Sequence, residues 1–316
     1  MGLPKCASTS LQCALHACEQ IDFGGLLPVS EAGKFWQTNA LSDLFDCELR
    51  FNAYNLDKSL TVMNEYVQNS SKSKIVFSSE NISLRFLPWD VPTWHKLHFV
   101  RSLFPATTRY LFVYKSPHKM LISLYKEWVL LGYASSFAVF CMELFKLRQF
   151  SFFNDILLGS FLRAFDSILP RESLTIVYAD NSSFESDASQ FFGDKITLPK
   201  QAKNVSISDD ECRSVVDFNL RQNDYNGFFD LLELHRINRD WEDQQKYSNA
   251  RKRKIRKLIG SLLAQYTTPL NDAFKLPHVV ADVIGKDLVT LQAAHDPRIN
   301  GQKLEAYIAE MTSLAG

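Results

Sequence analysis

Arg109-Tyr110-Leu111-Phe112-Val113-Tyr114-Lys115-Ser116-Pro117 is the stretch that decides the fold class. Five apolar and aromatic residues run between two cations without polar alternation, which is the pattern of a strand covered on both faces. Ser116 is a suitable helix cap and Pro117 a suitable first helical residue. Met120, Leu121, Leu124 and Trp128 then form an apolar stripe at helical spacing. The same order recurs on either side. Lys74–Ser79 reads as a short buried strand, and a helix follows from Asp90-Val91-Pro92 to about Phe104. Ser173–Tyr178 reads as a strand, and Ser183–Phe192 as a helix stopped by Gly193. Helical patterns fill 135–148 and 152–169, and almost nothing but helix is expected from Ser208 onward. Strand and helix alternating three times predict an α/β fold, a central parallel sheet flanked by helices. The expected organisation is an α/β domain over 1–235, with a helical C-terminal extension over 236–316 packed on it.

Composition narrows the class. The chain has 316 residues, with 35 Lys and Arg against 35 Asp and Glu, hence a formal charge of zero. At 46% hydrophobic and 22% charged residues it is neither a disordered nor a fibrous chain. Nothing approaches the roughly 18 consecutive apolar residues of a membrane span. Zero net charge speaks against nucleic acid as the main partner. Six cysteines at irregular spacings read as free thiols in a reducing compartment, so a cytoplasmic location is expected. Cys13, His16 and Cys18 lie close together, but no second ligand pair follows at finger or ribbon spacing, and no metal is expected. Arg251–Lys257 carries six cations in seven residues, the usual composition of a solvated helix face; the alternative is contact with an anionic acceptor such as a polysaccharide, or with a bisphosphate ligand.

The N-terminal segment carries the clearest chemistry. Gly2-Leu3-Pro4-Lys5-Cys6-Ala7-Ser8-Thr9-Ser10 leads into Leu11, Ala14, Leu15 and Cys18 at helical spacing. A phosphate-binding loop needs a backbone that curls around an anion, a helix N-terminus aimed at it and a cation within reach. This segment offers all three, although Lys5 stands earlier than the lysine of an ATP-type loop. The same residues also suit an ordinary Ser/Thr-capped helix after a Pro turn.

Pro4-Lys5-Cys6-Ala7-Ser8-Thr9-Ser10-Leu11 resembles the 5′-phosphosulfate loop of the sulfotransferases that use 3′-phosphoadenosine 5′-phosphosulfate, with Ala7 where those enzymes have glycine. Lys115-Ser116-Pro117, followed by Ser123-Leu124-Tyr125, is similar to their 3′-phosphate segment, with Lys115 in place of arginine. Ser78-Ser79-Glu80-Asn81, Val177-Tyr178-Ala179-Asp180 and Asn204-Val205-Ser206 look like further family strings, so the resemblance covers about Gly2 to Asn219. It implies a P-loop-like three-layer fold and a metal-independent sulfuryl transfer to a hydroxylated acceptor, with a carbohydrate expected. Lys5, Cys6, Ala7, Ser8, Thr9 and Ser10 would hold the phosphosulfate, and Lys115 and Ser123 the 3′-phosphate. Lys5 and the helix N–H groups would stabilise charge developing on the bridging oxygen. The acceptor also needs a general base. Glu80, just beyond a strand, is the first candidate. Glu31, in Ser30-Glu31-Ala32-Gly33-Lys34-Phe35-Trp36, is the second, from a loose likeness to the catalytic-glutamate region of glycosaminoglycan sulfotransferases. A surface glutamate is the plain alternative for each.

Two departures bear on this reading. Lysine lacks the bidentate fork of arginine at position 115. Family members also place a strand directly before the loop, whereas Met1 precedes Gly2 here. The expectation is an open reading frame that starts upstream with a Val/Ile/Phe-rich segment, which would leave room for a membrane anchor as well. A stop codon directly before Met1 would rule that out. The alternatives are a P-loop nucleotide or small-molecule kinase and a sulfotransferase-like binding protein without turnover.

Overall fold

Tyr110–Tyr114 is buried at all five positions in the computed structural model, as a strand covered on both faces should be. The structure describes residues 8–24, 61, 64–78, 93–148, 153–199, 206–221, 250–251, 253–258, 262 and 274–315. Its elements are α1 (Ser8–Ala17), β1 (Ile21–Phe23), β2 (Lys74–Val76), α2 (Thr93–Leu103), β3 (Tyr110–Tyr114), α3 (Pro117–Leu131), α4 (Phe137–Lys146), α5 (Phe153–Ile156), α6 (Leu158–Asp166), β4 (Leu174–Tyr178), α7 (Phe184–Phe192), α8 (Asp209–Arg221), α9 (His278–Ala293) and α10 (Gly301–Ala315). The result is a mixed α/β protein, mostly helical, with two small parallel sheets. β1 pairs with β2 in the register Ile21–Lys74, and β3 pairs with β4 in the register Tyr110–Leu174. The chain divides into two compact units, one of residues 1–116, 150–204 and 290–301, the other of 117–149, 205–289 and 302–316.

The first unit contains both sheets. Side chains alternate across a strand, so Tyr110, Phe112 and Tyr114 share one face of β3. Phe112 is fully buried and stacks on Phe161 of α6 at 3.9 Å between centroids. Tyr110 meets Phe165 edge-on at 5.5 Å. A continuous helix over 152–169 is expected from the sequence, but the chain breaks into α5 and α6 at Leu157, which is extended at φ −76° and ψ 106°. The buried Tyr114 hydroxyl donates to the Ile156 carbonyl at 2.9 Å and takes the acceptor that a continuous helix would need for its next turn. On β4, α7 ends at Gly193 in the left-handed region at φ 69°. A side chain there costs about 1–2 kcal/mol. Lys74, at the start of β2, seals the same helix end through the Phe192 carbonyl at 2.8 Å and Asp194 at 2.5 Å.

The described regular elements of the second unit are all helices. α3 buries Met120, Leu121, Leu124, Tyr125, Trp128 and Val129, the stripe expected from the sequence together with its neighbours. Tyr125, Tyr133, Phe137, Phe140 and Phe274 form a cluster with centroids about 5.5–6.1 Å apart. Lys126 is buried beside it and donates to the Ile207 carbonyl at 2.7 Å and to Asp209 at 2.6 Å, with its ammonium 5.3 Å from the Phe274 ring. α3 stops at Gly132, where φ is 118°; Gly132 N–H bonds the Val129 carbonyl and Tyr133 N–H the Trp128 carbonyl. That pair of bonds satisfies two carbonyls which the helix end would otherwise leave open. Arg253, Lys254, Arg256 and Lys257 are exposed around buried Ile255, so these four cations lie on a solvated helix face.

Candidate functional site

In an open parallel sheet, functional groups gather beyond the carboxyl ends of the strands. Three contacts lie at such strand ends in the first unit, two at the β3–β4 sheet and one at the β1–β2 sheet. Ala179 N–H donates to the Tyr114 carbonyl at 2.7 Å, which continues the β3–β4 ladder one residue past the end of β4. Ser116 is buried, and its N–H reaches the Asp180 carboxylate at 3.4 Å. The exits of β3 and β4 are therefore joined, with half-buried Lys115 between Tyr114 and Ser116. Beyond β2, Ser78 Oγ accepts from the buried Gln12 side chain of α1 at 3.1 Å. That bond seats the first turns of α1 at the carboxyl end of β2. Sequence separations of 64 and 66 residues hid both side-chain contacts from pattern reading.

A third segment arrives from the far end of the chain. Asn300 N–H donates to the Tyr178 hydroxyl at 3.3 Å. Burial, above all, pushes the Tyr178 phenol up to about 12, so it stays protonated at neutral pH. The loop is anchored by Arg298, which grips Asp166 with two nitrogens at 2.6 and 2.8 Å and Asp296 at 2.6–3.2 Å. Composition gave no signal for this loop, since its partners lie more than a hundred residues away.

Ser8, Thr9 and Ser10 form the first turn of α1, which contains no acidic residue. The first turn of α3 also lacks one. In α3 a carboxylate from elsewhere takes that place, since Glu310 lies 3.3 Å from His118 in the first turn. Lys115 follows β3 in the first unit, and Ser123 lies half-buried on α3 in the second. Lys5, Cys6, Ala7, Glu31 and Glu80 lie outside the described residues. Trp94, on α2, is 52% exposed, with the rings of His95 and His98 set across it at 5.6 and 6.2 Å.

Cys13, Cys18, Cys141 and Cys212 are free thiols. Burial pushes the Cys212 thiol up to about 12, which leaves it un-ionised and poorly nucleophilic. Among the described residues, no group of three His, Cys, Asp or Glu side chains is placed to hold a metal ion. No described helix is long and apolar enough to cross a membrane. No family model, curated protein or solved structure matches the chain.

Proposed function

We propose that this protein is a sulfotransferase that moves a sulfuryl group from 3′-phosphoadenosine 5′-phosphosulfate to a carbohydrate hydroxyl on a P-loop-like three-layer fold. The observation that carries the reading is the Gln12–Ser78 bond. It joins the helix opened by Ser8-Thr9-Ser10 to the strand end that precedes Glu80 by two residues. A donor-binding helix N-terminus and a base meet in such a place if acceptor oxygen, sulfur and leaving oxygen are to line up. The acid-free first turn of α1 suits the phosphosulfate end of the donor.

The donor supplies a sulfuryl group whose bond to the bridging oxygen is ready to break. Lys5 and the N–H groups of Ser8, Thr9 and Ser10 neutralise the charge that grows on that oxygen. Lys115 and Ser123 hold the 3′-phosphate, with Lys115 acting as a point charge. Glu80, or Glu31 in its place, takes the acceptor proton as the new sulfur–oxygen bond forms. Side-chain cations do the work of charge neutralisation, so the reading requires no metal. Trp94 offers a flat apolar face of the kind on which a sugar ring can stack.

Calorimetric titration with adenosine 3′,5′-bisphosphate, with ATP and Mg²⁺ as the comparison, tests the reading. The bisphosphate is expected to bind with a dissociation constant of micromolar order, about −8 kcal/mol. Lys5→Ala abolishes that binding, and ATP does not bind. A chain that binds ATP in preference to the bisphosphate is a kinase-type protein. One that binds neither overturns the assignment.

A further inference from the structure

His118 is the second residue of α3, and both of its ring nitrogens face acceptors. Nε2 lies 2.9 Å from the backbone carbonyl of Phe274, and Nδ1 lies 3.3 Å from a carboxylate oxygen of Glu310 on α10. A carbonyl only accepts, so Nε2 carries a proton. An ionised carboxylate also only accepts, so Nδ1 must carry one too. A neutral imidazole has a single N–H. The site therefore binds one proton more than a neutral histidine beside an ionised glutamate can supply. That count is the same whether the extra proton resides on the ring or on the Glu310 carboxyl, because the two groups titrate as a pair.

We infer that His118 and Glu310 form a proton-operated latch that fastens α10 and the Phe274 segment to the head of α3, closed at acidic to neutral pH and released as the pH rises. The latch lies within the second unit, and the inference does not depend on the proposed cofactor or reaction. Its surroundings set its direction. Side-chain exposure is 14% for His118 and 29% for Glu310, so water screens the pair only in part. Among the described residues, Lys119, of like sign on the same turn, and the Phe137 ring at 6.1 Å also act on the imidazole. The N-terminal end of α3 opposes a cation there as well. Burial is the largest influence and lowers the imidazole pKa, but the bonds to Glu310 and Phe274 and the Glu310 charge outweigh it, so the net shift is upward. A folded-state value above the unfolded one stabilises the protein below about pH 6.5, and the gain disappears as pH rises through the folded value.

The test uses the full chain. Isotope-labelled histidine spectra should show the His118 ring titrating above the ordinary value, and Glu310→Gln should move that titration downward. Melting temperatures of wild type and Glu310→Gln, compared from about pH 6 to about pH 9, should differ most at the acidic end and converge at the alkaline end. His118→Gln, which offers a donor that cannot titrate, should show the same convergence. A difference between wild type and variant that is constant across the range overturns the latch. So does a wild-type His118 ring that titrates at or below the ordinary value.

Discussion

Arg298→Met is expected to lower the unfolding free energy by about 3 kcal/mol, at the lower end of what breaking a buried ion pair costs. Arg298 and Asp296 each leave only 7% of the side chain exposed, and Asp166 is 32% exposed. Methionine fills the volume but leaves Asp296 with the exposed Arg171 as an ion-pair partner, at 3.0 Å. Arg171 is 53% exposed, so Arg171→Met should cost about 1 kcal/mol or less. The dependence on pH has a definite sign. The Arg298 bonds, against the opposing effect of burial, hold the Asp296 carboxyl down at about 2. A depressed folded-state value stabilises above the ordinary carboxylate range, and the gain is lost as pH falls through that of the folded state. The gap between wild type and Arg298→Met should therefore be full above about pH 4 and close toward pH 2. Urea unfolding across that range measures it. A variant as stable as wild type at neutral pH would mean the four-residue cluster contributes no net stability.

Glu80→Gln is expected to slow sulfuryl transfer about 10²–10⁴-fold, the usual worth of a positioned general base. The amide keeps the shape of the carboxylate and removes its capacity to accept a proton. Binding of adenosine 3′,5′-bisphosphate should stay at the wild-type level, because in the proposed reaction Glu80 acts on the acceptor. Glu31→Gln should transfer near the wild-type rate. The measurement is transfer from 3′-phosphoadenosine 5′-phosphosulfate to a panel of polysaccharides, read beside the bisphosphate titration. The opposite ranking would assign the base to Glu31. Undiminished transfer in both variants would mean that neither glutamate is the base.

What pattern reading recovered and what it missed follow from the distance over which each feature is encoded. β3 was legible because five apolar residues in a row identify a strand from within itself. α3 was legible from Ser116-Pro117 and its stripe, and the end of α7 from Gly193. β1 was not expected: Ile21-Asp22-Phe23 is three residues long with a charge at its centre, and it is a strand only through its pairing with β2, about fifty residues later. The break between α5 and α6 comes from a hydroxyl 42 residues upstream. In the candidate site, the start of α1 at Ser8 and the exit of β3 at Lys115 could be read locally. The ties Gln12–Ser78, Ser116–Asp180 and Asn300–Tyr178 exist only once the chain has folded, and no local periodicity reports them.

Asn219 adds a kinetic dimension to the second unit. It is fully buried on α8, and its amide donates to the Val129 carbonyl at 2.9 Å and the Tyr133 carbonyl at 3.1 Å. The C-terminal boundary of α3 is thus completed by a group some ninety residues downstream. A long loop has to close before that boundary is finished, which places the step late in assembly and raises the unit's contact order. Until α8 arrives, the Val129 carbonyl has its bond from Gly132 N–H alone, and the Tyr133 carbonyl looks to water or frayed backbone. Native-state hydrogen exchange should accordingly show the amides of 128–133 and of α8 opening together in one cooperative event. Separate opening energies for the two segments would show that the turn after α3 closes without α8.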